Sequence, residues 1–348
     1  MTRLRLGVIG AGSWAVAAHL PSLAARSDDV EFVGVSRHGA EALKRIQDRF
    51  GFAVASEDYR DVLEAGVDVV VVASPTALHH SHTAAALEAG AHVLCEKPFT
   101  LTAAQAWDLV AVAEQAQRHL LVSFGWNFTP MITRARDLLR IGDVEQISVT
   151  MSSQTRELLS DTGAYPDASP DTVPESRTWT DPAVSGGGYG QAQLSHALAL
   201  ALSLTGARVR GAFALMSSLG APVELHDALA LSLDGGGVAS VGGASSFTGA
   251  DGNKHHLAVE AVGREGQFHV DVFRERVALF RPDTGQVDLP VQPGEGAYDG
   301  ALAAQRLVDL ALGRTADNPA PGELGARTVE ALELAYRSAA TGAFEVRA

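Results

Sequence analysis

Leu4-Arg5-Leu6-Gly7-Val8-Ile9-Gly10-Ala11-Gly12-Ser13-Trp14-Ala15 is the stretch on which the fold turns. A short apolar run ends in a glycine turn of the pattern G-x-G-x-x-A and passes straight into a helical stretch. The first two glycines permit a tight turn and close approach of phosphate oxygens, and Ala15 permits close packing of helix on strand. Outward from it, β-branched runs at residues 4–9, 30–36, 67–73, 92–95 and 120–124 alternate with helical patterns at 14–25, 40–50, 59–65, 81–89 and 103–116. That alternation is the mark of βαβ units around a parallel sheet buried on both faces. Residues 1–124 therefore read as a Rossmann-like, doubly wound NAD(P)-binding domain.

After Phe124 the character changes. Residues 155–183 form a proline-bearing stretch rich in Ser, Thr and Asp, read as an ordered active-site loop because it leads into Gly186-Gly187-Gly188 and an apolar helix reaching Leu204. Short strands with turn signals follow over 210–291, including Asp234-Gly235-Gly236-Gly237, and helices over 300–312 and 323–341 close the chain. The expectation is an α/β protein with a second, α+β domain over 125–348 built on an open, mainly antiparallel sheet.

Bulk properties narrow the function. With 348 residues, two domains are the natural prior, and 46% apolar with 20% charged residues is ordinary for a globular chain. A formal charge of -14 supplies no basic stripe, which argues against nucleic acid or an anionic membrane as partner and leaves a small molecule. The one cysteine, Cys95, fits a reducing compartment. The N-terminus runs into a strand without a signal-peptide pattern, and the apolar stretch at 197–204 is far short of the roughly 18 residues a span needs, so a cytoplasmic location is expected.

The second strand ends in Ser36-Arg37, where an acidic residue would bind the adenosine ribose of NAD. A guanidinium can grip a 2′-phosphate bidentately and Ser36 can add a donor, so NADP is favoured over NAD. Two further motifs, Ser74-Pro75-Thr76-Ala77-Leu78-His79 and Glu96-Lys97-Pro98, lie at the carboxyl ends of the third and fourth expected strands, where open α/β sheets bind ligands. Alone, a lysine before proline reads as a surface charge, and a histidine on an apolar helix such as His196 reads as packing.

Together these motifs resemble the Gfo/Idh/MocA family (glucose-fructose oxidoreductase, inositol dehydrogenase, rhizopine catabolism), whose hallmarks are the N-terminal glycine turn, a Thr/Ser-Pro-x-x-x-His segment and Glu-Lys-Pro. Trp179-Thr180-Asp181-Pro182, the triple glycine and His196 are similar to its second-domain signature, and the 323–341 helix resembles the helix that packs back on the first domain. The resemblance implies an oxidoreductase moving a hydride between nicotinamide and a secondary alcohol or ketone on a sugar, cyclitol or glycoside. It implies cofactor contacts from Gly10, Gly12, Ser13, Trp14, Ser36, Arg37, Ser74, Pro75, His79, Glu96, Lys97 and Trp179, and a cis Lys97-Pro98 bond. Lys97 and His196 handle the proton, and a lysine desolvated beside a cationic ring can titrate near working pH. A homodimer or homotetramer through the C-terminal sheet is also implied.

The chain departs from the family at Ala192, where an aspartate four residues before the histidine is usual. Gln193 and Tyr189 are the nearest polar substitutes. Read as one helix, Tyr189, Gln193 and His196 share a face, since residues three, four and seven apart align. Either Lys97 and His196 act alone, a carboxylate from the 157–171 loop folds in, or the protein is a catalytically silent NADP-binding sensor. Trp126 and Asn127, where the family often shows arginine, favour a neutral, stackable ligand. His80 and His82 read as surface residues, His255 and His256 as a solvated turn, and no metal site is expected.

Overall fold

The computed structural model describes residues 3–163, 175–249 and 255–347. The chain divides into two compact units, residues 1–123, 167–178 and 299–326 forming one, and 124–166, 179–298 and 327–348 the other.

The first unit holds β1 (Leu4–Ile9), β2 (Val30–Ser36), β3 (Val54–Ser56), β4 (Val69–Val72), β5 (His92–Cys95) and β6 (Leu120–Val122). They form a parallel sheet in the order β3-β2-β1-β4-β5-β6. The four valines of β4 are wholly buried because both faces of the sheet are covered. Chain order reverses between β1 and β4, so Gly10, Ser74 and Glu96, just past the ends of β1, β4 and β5, cluster at the switch point. The edge strand β3 lies in a stretch read as a connection. The helix after β4 runs Thr76–Glu88, five residues earlier than expected, because Pro75 sits extended at its N-cap and releases the chain directly into the first turn.

The sequence boundary puts the helix over 300–312 in the second domain. It is observed as Ala301–Ala311 and counts with the first unit, lying against β4, β5 and β6. Residues of helix Gly322–Thr341 up to Ala326 count with the first unit and the remainder with the second.

The second unit is built on β7 (Val144–Ser153), β8 (Val209–Ser217), β9 (His226–Leu233), β10 (Val238–Ser245), β11 (His255–Gly263), β12 (Gly266–Asp271), β13 (Arg276–Arg281), β14 (Gly285–Leu289) and β15 (Glu345–Val346). The sheet order is β14-β13-β12-β11-β7-β10-β9-β8-β15, antiparallel except where β10 runs parallel to β7. Helix Ser195–Thr205, with almost every side chain buried, lies across β7 and β11. The opposite face leaves Phe213, Leu215 and Val238 exposed. Among the described residues no helix is long and apolar enough to cross a membrane.

Candidate active site

The glycine turn is shaped by what lies against it. Gly10 has φ 80°, and a Cβ there would fall 2.4 Å from the Ser74 backbone, so only glycine lets the end of β1 rest on the end of β4. A Cβ at Gly12 would meet nothing nearer than 3.9 Å, which leaves open space over the turn. The N–H groups of Gly10 and Ala11 donate to Ser36 O at 2.8 and 3.0 Å, tying the turn to β2. Ser13 opens the helix. The indole of Trp14 lies against Gly300, where a Cβ would meet it at 2.5 Å, so its side chain packs inside the first unit rather than over the turn.

Arg37 is brought to the same place. Its guanidinium donates to Ala11 O at 3.3 Å and to His38 O at 3.1 Å, and no carboxylate pairs with it among the described residues. Burial, with help from Arg45, lowers its pKa from the ordinary arginine value. Arginine remains a cation in such a setting, so the end of β2 carries an uncompensated positive charge beside the turn.

His79 joins the two downstream motifs. Its Nε2 lies 2.6 Å from Ser74 O and its Nδ1 2.8 Å from Pro98 O, the ring itself being buried. Burial pushes this imidazole below its ordinary value, against the pull of the carbonyls, and a neutral ring donates to only one of them at a time. His82, expected at the surface, is half-buried and bonds Ser74 Oγ at 2.9 Å; burial pushes it down to about 4. His80 pairs with Asp108.

The Lys97-Pro98 bond is cis. Lys97 N–H donates to Glu96 Oε2 at 3.1 Å, while Glu96 Oε1 lies 2.7 Å from His19 Nε2. Burial pushes the Glu96 carboxyl up, but His19, the Lys97 ammonium and Ser123 outweigh it and hold the carboxyl below its usual value. Lys97 is displaced downward by desolvation, with Glu96 opposing. His19 escaped the sequence reading. The helix after the glycine turn begins as a π-turn, Ala15–His19, a widening with no compositional signature.

In the second unit a π-turn recurs at Gly190–Leu194 before the α-helix starts at Ser195. The extra residue per turn breaks the spacing that aligns Tyr189 with His196. Tyr189 is instead fully buried against the sheet, its hydroxyl 2.9 Å from Ser153 Oγ and 3.2 Å from Met151 O, so it is a packing residue and not a ligand contact. Gln193 is buried in the π-turn. His196 sits in an aromatic group, its ring 5.2 Å from Trp126, 5.7 Å from Tyr298 and 6.0 Å from Phe124, all edge-to-face. His255 is no solvated turn. It begins β11 and its ring stands 5.1 Å from Trp126. Asn127 is buried beside Trp126 on the short helix Gly125–Phe128. Trp179 lies half-buried on the single turn Arg177–Thr180.

Residues 4–124 match the model of an oxidoreductase family with an NAD-binding Rossmann fold, Gfo/Idh/MocA. Residues 4–124 belong to that family. D-glucoside 3-dehydrogenase of Escherichia coli K12 is 33% identical over 154 residues, which is 44% of this chain and 44% of that protein, so the similarity spans less than half of either. Among solved structures, an oxidoreductase domain protein from Kribbella flavida aligns with a TM-score of 0.80 at 24% identity, covering both chains fully. Levoglucosan dehydrogenase, in complex with NADH and levoglucosan, aligns at 0.78 and 21%, again over both chains. At these identities the structural likeness over the whole chain speaks to the fold alone.

Glu157 does not make good the aspartate that the resemblance implies at Ala192. Glu157 is spent on Thr248, whose N–H and hydroxyl it accepts, and Asp167 and Asp171 lie outside the described residues. Two carboxylates beside the second glycine run come from β9 and the loop before it. Glu224 accepts from the N–H groups of Gly188 and Gly190 and from the Tyr336 hydroxyl. Asp227 is buried beneath Gly190 with both oxygens unbonded among the described residues, and burial together with Glu224 pushes it up to about 8. They stand far from the glycines in sequence, and only the sheet brings them there.

Proposed function

We propose that the protein is an NADP-preferring oxidoreductase that moves a hydride between nicotinamide and a secondary alcohol or ketone of a neutral sugar, cyclitol or glycoside. The observation that carries the reading is Lys97 at the end of β5, half-buried, backed by Glu96 and joined through Pro98 and His79 to Ser74 beneath the glycine turn. The residues present fit the cofactor. Open space at Gly12 suits a pyrophosphate over a helix start, and Arg37 with Ser36 suits a 2′-phosphate. Ser13, Ser74, Pro75 and the backbone of Trp14 would complete the cradle. When bound, the nicotinamide supplies the hydride acceptor or donor.

The chain's own residues then manage the proton. In the direction of oxidation the carbinol C–H leaves as hydride while the hydroxyl proton passes to Lys97 Nζ, which its lowered pKa makes available as a base. His196 is the second proton-handling group, and Trp126, Asn127 and Gln193 position the ring. Aromatic edges around His196 suit a neutral ligand over an anionic one. The exposed Phe213, Leu215 and Val238 on one sheet face support a homodimer or homotetramer, and the single, buried Cys95 supports a cytoplasmic setting. A panel of neutral sugars and cyclitols with NADP and NAD, followed by absorbance of the reduced cofactor, tests the reading. Turnover favouring NADP is expected; tight NADP binding without turnover on any substrate would favour the sensor, to which Ala192 points.

A further inference from the structure

The buried pair His19 and Glu96 has no assigned task, although one oxygen of Glu96 accepts from the backbone N–H of Lys97. His19 is wholly buried, and its Nε2 bond to Glu96 Oε1 at 2.7 Å is its one side-chain hydrogen bond among the described residues, with Nδ1 left without a partner. The ring is therefore oriented toward Glu96 alone. It stands at the end of the π-turn Ala15–His19. On the other side, Glu96 Oε2 accepts from the backbone N–H of Lys97, and its charge acts on the ammonium of the same residue through space. The remaining titratable or polar neighbours of the carboxylate are Ser123 at the end of β6, His79 from helix Thr76–Glu88 and Cys95, which burial keeps a thiol.

We propose that His19 is a positioning residue that holds the Glu96 carboxylate ionised beside Lys97 and thereby sets the pH at which Lys97 releases its proton. The inference rests on the reading of Lys97 as the proton handler but concerns a property measurable without turnover. A carboxyl this deeply buried favours the neutral form unless a donor compensates. Without His19, Glu96 takes up a proton, Lys97 loses the one anion that opposes its desolvation, and its titration moves to lower pH. The link also ties the helix after the glycine turn to the lysine loop, so a ligand seated on that turn and the proton chemistry share one buried hydrogen bond.

The test is the pH dependence of Lys97 modification by an amine-reactive reagent, read by mass spectrometry of the peptide that carries it, alongside thermal melting. In His19→Ala the half-modification pH is expected to fall by about one unit, a tenfold change in proton affinity, while His19→Gln, which keeps a donor, returns toward wild type. His19→Leu replaces the alanine variant if that one does not fold. Glu96→Gln must move Lys97 the same way. A folded His19→Ala or His19→Leu protein in which Lys97 titrates as in wild type would overturn the proposal, as would a glutamine variant shifted as far as alanine. The shift appearing in a protein that turns over no substrate would uphold it while the oxidoreductase reading failed.

Discussion

Two glycine turns in this molecule lead into π-turns, one in each unit, and they use the same helix start in opposite ways. After Gly10 and Gly12 comes Ala15–His19; after Gly186, Gly187 and Gly188 comes Gly190–Leu194. A helix start presents unsatisfied N–H groups and attracts an anion. At the first turn the space over Gly12 is open. At the second, Glu224 already occupies the N–H groups of Gly188 and Gly190, Tyr336 closes over it, and a Cβ at Gly188 would lie 2.3 Å from Glu224 O. A glycine run before a helix leaves backbone N–H groups open to an anion, and the surrounding chain decides whether that place is left for a ligand or filled by the protein's own carboxylate.

Substitution separates the two. Gly10→Val is expected to have the largest effect, because it adds a side chain at φ 80° where the Ser74 backbone stands 2.4 Å away. NADP affinity, measured by fluorescence titration, should fall by about a hundredfold or more, or the first unit should fail to fold. Gly188→Ala drives a methyl into the Glu224 carbonyl and should cost about 2–4 kcal/mol in denaturant unfolding, with little change in cofactor affinity if the protein folds. Equal loss of cofactor affinity in both variants would erase the contrast.

Smaller effects sharpen it. Arg37→Asp should lower the ratio of NADP to NAD efficiency by about tenfold or more, since a charged, bidentate donor at the turn is replaced by a repelling carboxylate. An unchanged ratio would remove the basis for NADP preference. In the second unit, Asp227 titrates at about 8 when folded against an ordinary 3.8. The folded protein thus holds a proton that the unfolded chain has released, so this contribution to stability is complete below about pH 4 and is lost as the pH rises to about 8. Asp227→Asn should flatten that slope, visible as a smaller drop in Tm between pH 5 and pH 8.

What could be read from the sequence follows from how local each signal is. β1, its glycine turn and the Glu96-Lys97-Pro98 loop were legible because strand period, turn chemistry and motif lie within a few consecutive residues. The edge strand β3, with three half-buried residues, carries too short a pattern, while β7 alternates regularly but lies outside the strands expected from the sequence. Neither π-turn has a local signature, and an α-helical spacing that leaves out the extra residue of the second puts Tyr189 on the face of His196 when it is buried in the core. His19, Glu224, Asp227, His255 and Tyr298 take their roles from partners far along the chain, which only the folded sheets bring near.

On the function proposed above, Lys97 carries the proton chemistry of a nicotinamide-dependent reaction. Its most direct test compares wild type and Lys97→Ala on whichever neutral sugar or cyclitol is turned over, with NADP binding measured in parallel. Cofactor affinity is expected within a few-fold of wild type and kcat lower by about a hundredfold or more, the usual range for loss of a general base. Undiminished kcat in Lys97→Ala would contradict it.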